Sequence, residues 1–195
     1  MADWGAHHFD IVQWVMGMDD SGPVEIIPPN SENENRLTFR YANGVNVYHI
    51  DQEVRRTVPT FTIVFEGSDG KLEVNRGLTN RLQTWPEHLM REPTRSDEIH
   101  LYRSAGMSQL PPAYPIGPTT KVHIADFLRA IRTRQRPGCD VEIGHHTTTA
   151  CHLGNIAFLL KRPLKWDPVA ERFIGDAQAN RWLDRPRMCS KIMET

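Results

Sequence analysis

The sequence predicts an α+β fold, a largely antiparallel open β-sheet with helices packed on one face. Two observations carry this. Apolar and polar residues alternate along Leu37–Tyr41, Val45–Ile50, Phe61–Phe65 and Lys71–Val74, with a glycine-bearing turn inside the first pair of runs and another inside the second. Such alternation marks strands that bury one face, and consecutive hairpins pair antiparallel. Helical apolar spacing, by contrast, is confined to the two ends of the chain.

Taken in order, His7–Met18 reads as a mostly apolar helix through Phe9, Ile11, Val12, Trp14, Val15 and Met16. Gly17 and the Asp19-Asp20-Ser21-Gly22-Pro23 cluster end it. Val24–Ile27 is a short strand. Ala42-Asn43-Gly44 turns the first hairpin, with Asn-Gly expected to supply positive-φ positions. Gly67-Ser68-Asp69-Gly70 turns the second, and Glu98–Tyr102 is a further candidate strand. Trp85–Pro118, rich in Pro, Arg and Ser, reads as a long loop or arm.

Helices resume at Thr120–Arg134, with Val122, Ala125, Phe127, Leu128 and Ile131 expected to face inward. A third helix is expected over His145–Leu160, capped at or just before Thr147–Thr149. Asp176–Leu183 makes a short fourth. With no internal repeat and no second linker, residues 1–187 read as one domain and 188–195 as a tail.

Composition narrows the partners. The 195 residues are 39% hydrophobic and 24% charged, as in ordinary globular domains. A formal net charge of -1 gives no electrostatic pull toward nucleic acid or an anionic membrane. No apolar run approaches the roughly 18 residues of a membrane span. Cys139, Cys151 and Cys189 are an odd set without CxxC spacing, which argues against a disulfide framework or zinc site. The first residues carry no secretory leader and already read as the middle of a fold. The expected compartment is therefore the cytoplasm, unless an export signal precedes them.

The densest chemistry is Asp3-Trp-Gly-Ala-His7-His8-Phe-Asp10. On a helix starting near Gly5, His7 and Asp10 lie about one turn apart on one side. Asp3 stands just before the helix, within reach of an imidazole or of the helix N–H groups. An imidazole held by a carboxylate has a fixed tautomer and suits acid/base work. A helix cap followed by a buried, hydrogen-bonded histidine satisfies the same spacing. His7 and His8 diverge by about 100° and cannot easily share a metal ion. The objection extends to His145-His146, while His145 and His152 lie nearly two turns apart, so no metal is expected.

The motif Asp3-x-Gly5-x-His7-x-x-Asp10, with Trp14 and Gly17, resembles the start of the C-terminal domain of Gfo/Idh/MocA oxidoreductases. The likeness continues in Phe65-Glu66-Gly67-Ser68-Asp69-Gly70-Lys71, in His123-x-x-Asp126-Phe127-Leu128-x-x-Ile131-Arg132 ending at Pro137, and in Val141–His145. Arg162–Pro168 and Asp176-x-x-x-Asn180-x-x-Leu183 complete it, so that it spans residue 3 to about 187. The resemblance implies His7 as acid/base or substrate-orienting residue and Asp3 as its partner. His8, Asp10 and His146 are candidates to line the substrate pocket. A helix-anchoring salt bridge explains Asp10 equally well, and a satisfied structural histidine is the commoner use of His8, His123 and His146. The resemblance also implies a sugar, polyol or sugar derivative as substrate, NAD(P) as the family's cofactor, and homo-oligomers built through the sheet.

The family's other half is absent. No Gly-x-Gly-x-x-Gly occurs in the sequence, and neither does the Glu-Lys-Pro motif that carries the family's catalytic lysine. The chain is therefore expected to bind no cofactor alone and to be a fragment or truncated form lacking its Rossmann domain. Two other readings stay open: a stand-alone, non-catalytic binding or oligomerisation module, and a cofactor-independent lyase or hydrolase using His7 and Asp3.

Overall fold

A computed structural model describes residues 1–33, 35–50, 62–75, 81–89 and 117–184. The expected strand at Glu98–Tyr102, most of the expected arm and the tail lie outside the described residues. The chain divides into two compact units, one of residues 1–60 with 142–195, the other of residues 61–141.

The first unit has helices α1 (Trp4–Val15), α3 (Val141–Leu160) and α4 (Ala177–Asn180) and strands β1 (Pro23–Ile27), β2 (Leu37–Tyr41), β3 (Asn46–His49), β7 (Leu164–Asp167) and β8 (Arg172–Phe173). The strands form one sheet in the order β3-β2-β1-β7-β8, with every adjacent pair antiparallel. Alternation decides what each face does. Ile26, Phe39 and Val47 stand opposite one another across β1, β2 and β3, and Leu164 of β7 stands opposite Ile26. Together with Leu37, Tyr41 and Trp166 these residues make the inner layer. Phe9 of α1 meets Phe39 edge-on at 4.8 Å between ring centres.

α3 lies on the same face. A Cβ placed on its Gly154 would come within 2.7 Å of Phe39 and 3.2 Å of Leu37, so only a hydrogen fits where the helix crosses β2. Helices on one face of an antiparallel sheet are what the alternation predicted. The opposite face carries Glu25, Thr38, Arg40 and Tyr48, with Arg40 paired to Glu25 at 2.8 Å.

The hairpin joining β2 to β3 differs in detail from expectation. Gly44 has φ +88, but Asn43 does not share its positive φ. The Gly44 N–H donates to Tyr41 O at 3.0 Å and Tyr41 N–H to Val45 O, closing a three-residue loop rather than a two-residue one. Asn43 contributes its side-chain oxygen instead, which accepts from Val45 N–H at 3.1 Å.

Two boundaries also shift. α1 starts three residues before the expected His7, and α3 starts at Val141 rather than His145. Thr147–Thr149 therefore sit inside α3, not at its cap. Thr148 bonds back to Gly144 O at 2.6 Å, while Thr147 is buried.

α4 is held by an ion pair. Asp176 caps it, accepting from Ala179 N–H at 2.9 Å, and takes a two-pronged contact from Arg162. The Arg162 guanidinium, and then the Ala179 N–H, hold the Asp176 carboxyl down to about 2 from its ordinary 3.8. A carboxyl with a depressed folded pKa stabilises the fold above its unfolded value, and that stabilisation is lost as pH falls through the folded one. The loss is thus expected between about pH 4 and pH 2. Asp176→Asn keeps the cap and removes the titration. Urea midpoints measured at pH 5 and pH 2.5 should accordingly differ less in the variant than in the native chain.

The second unit holds β4 (Thr62–Gly67), β5 (Gly70–Asn75) and β6 (Arg81–Trp85) as a three-stranded antiparallel sheet, followed by α2 (Gly117–Thr133). Gly70 has φ +150, and a Cβ there would lie 2.1 Å from Trp85 O, so glycine is required at this turn. The expected inward stripe of α2 is not inside. Phe127, Leu128 and Ile131 are all exposed, and Asp126 and Ala130 are buried in their place. Asp126 explains the rotation: its carboxylate accepts from Gly138 N–H at 2.8 Å and from Arg129 at 2.7 Å. A charge held by fixed donors keeps its side of the helix inward.

Candidate functional site

α1 presents two faces of different chemistry. Its inward face packs Phe9 and Val12 into the core together with Gln13, which is fully buried. Gln13 accepts from the Tyr41 hydroxyl at 3.0 Å and donates to Ser21 O at 3.5 Å, so the amide is satisfied inside the apolar layer. Burial, and next the neighbouring Cys151, push the Tyr41 phenol above its ordinary value. Burial raises the Cys151 thiol to about 11, so at neutral pH it is a packed thiol and not a nucleophile.

The outward face carries the predicted chemistry. Asp3 is exposed and occupies the N-cap position, but its side chain makes no capping hydrogen bond. His7 is exposed as well, so a buried structural histidine does not describe it. Asp10 is half-buried, and its Oδ1 accepts from the Thr147 hydroxyl of α3 at 3.4 Å. His8 is half-buried and projects about 100° around the helix from His7. Past Val15 the helix is closed by Gly17 at φ +65.

His146 lies half-buried on the first turns of α3, with Nδ1 at 2.7 Å from Asp19 O. A carbonyl only accepts, so Nδ1 carries the proton and Nε2 is left as the acceptor of the neutral ring. Asp19 follows the end of α1 and Asp3 precedes its start, with a helix of about 18 Å between them. The structure therefore brings His7 and Asp10 to one side of α1, with Asp3 at the N-cap just outside the helix, and places the His146 anchor at its other end. His145 pairs with Glu171 at 2.5 Å and is exposed.

Among the described residues no three His, Cys, Asp or Glu side chains converge to hold a metal ion. No helix among them is long and apolar enough to cross a membrane. Shallow surface hollows among the described residues include the following two. One, of about 270 Å³, is lined by Arg36, Arg40, Asn46 and Tyr48 on the open face of the first sheet. The other lies beside the Gly67–Gly70 turn. Neither of these two includes Asp3, His7 or Asp10.

Trp14, expected among the apolar residues of the helix and part of the motif at its start, is 70% exposed.

Residues 103–192 match a family model described as "Oxidoreductase family, C-terminal alpha/beta domain". The matched segment includes α2, α3, β7, β8 and α4 and does not reach the α1 motif. No curated protein and no solved structure matches the chain.

Proposed function

We propose, from the match of residues 103–192 to an oxidoreductase-family C-terminal domain, that this chain is a C-terminal domain of the Gfo/Idh/MocA family and the substrate-side part of an NAD(P)-dependent sugar or polyol oxidoreductase. The observation that supports this best is the outward row of α1. A carboxylate not used as a cap stands just before the helix, and an exposed imidazole and a second carboxylate share one side of it. In this reading His7 removes the proton from the substrate hydroxyl during oxidation, or returns it to the carbonyl during reduction. Asp3 orients the ring and favours the imidazolium while the proton is held. Asp10, with Thr147 on one oxygen, accepts a neighbouring substrate hydroxyl through the other.

A nicotinamide, when bound, supplies the hydride acceptor. This chain's residues do not fit its binding, since no Gly-x-Gly-x-x-Gly cradle occurs in the sequence. The dinucleotide is instead held by another polypeptide segment. The uncovered sheet face with Arg40, Glu25 and Tyr48 supports a homo-oligomer built through the sheet.

The test is a reconstitution. The chain is fused behind, or mixed with, a dinucleotide-binding domain of the same family, and NAD(P)H absorbance is followed with a panel of sugars and polyols. Turnover with at least one of them is expected. If no substrate turns over, and magnetisation-transfer NMR shows that the chain binds no saccharide, the oxidoreductase reading fails. A non-catalytic module is then the better description.

A further inference from the structure

We draw no further inference here: the strongest candidate, the apolar stripe of Ile124, Phe127, Leu128 and Ile131 on the exposed side of α2, carries nothing because nothing in the structure shows what covers it.

Discussion

Phe39→Ala is expected to lower the unfolding free energy by about 3–5 kcal/mol, the usual cost of emptying a fully buried phenylalanine site. Phe39 has no exposed surface, stands on the middle of β2 and touches both helices that cover the sheet. Its loss leaves a void bounded by the Phe9 ring, the α3 backbone at Gly154, and Ile26 and Val47 on the neighbouring strands. The gap is hard to close, because the helix already approaches β2 as near as a glycine allows. Stabilities of ordinary domains are about 5–15 kcal/mol, so the variant should sit near the edge of folding. Urea denaturation followed by circular dichroism measures the effect. Tyr48→Ala, on the exposed side of the adjacent strand, should cost less than about 1 kcal/mol. A Phe39→Ala loss as small as that of Tyr48→Ala would mean that the core lies elsewhere.

The same layer shows which parts of the fold the sequence reveals. Leu37, Phe39 and Tyr41 alternate with Thr38 and Arg40 because the helices cover their side of β2, although Thr38 is buried as well and only Arg40 is exposed on the other side. β7 obeys the same rule, with Leu164 and Trp166 buried and Lys165 exposed. It escaped notice because it is only four residues long and lies between Pro163 and Pro168, which read as loop. β6 was missed for a related reason, its one clear apolar pair being Leu82 and Trp85 ahead of Pro86. The apolar spacing of α2 gave its helix correctly and its inner face wrongly. A single carboxylate, Asp126, bonded to Gly138 N–H and Arg129, outweighed the stripe, and hydrophobic spacing carries no record of such a partner.

The candidate site divides in the same way. That His7 and Asp10 share a side of the helix follows from numbering alone, because helical periodicity is fixed by the backbone. Which face points outward does not follow, since α1 is apolar nearly all round and a moment argument cannot choose. The choice is made by Gln13, whose amide finds the Tyr41 hydroxyl and the Ser21 carbonyl on the inner side. Those partners are 28 and 8 residues away in sequence, beyond the reach of local pattern.

His7→Ala in the reconstituted protein is expected to reduce kcat by about 10²- to 10⁴-fold, the contribution of a positioned general acid/base. The substitution is informative because His7 is exposed, so the fold should change by no more than about 0.5 kcal/mol. Asp10 offers no such clean test: removing its carboxylate also removes the acceptor of the buried Thr147 hydroxyl, at about 1–3 kcal/mol. The split between kcat and KM then identifies the role. A fall in kcat at constant KM means the imidazole acts on the proton in the transition state, whereas a rise in KM alone means that it only holds the substrate. Asp3→Asn should give a smaller fall in kcat than His7→Ala, since it removes the orienting charge and leaves the ring. If Asp3→Asn is the more damaging of the two, the carboxylate itself is the base and His7 merely steers the substrate toward it.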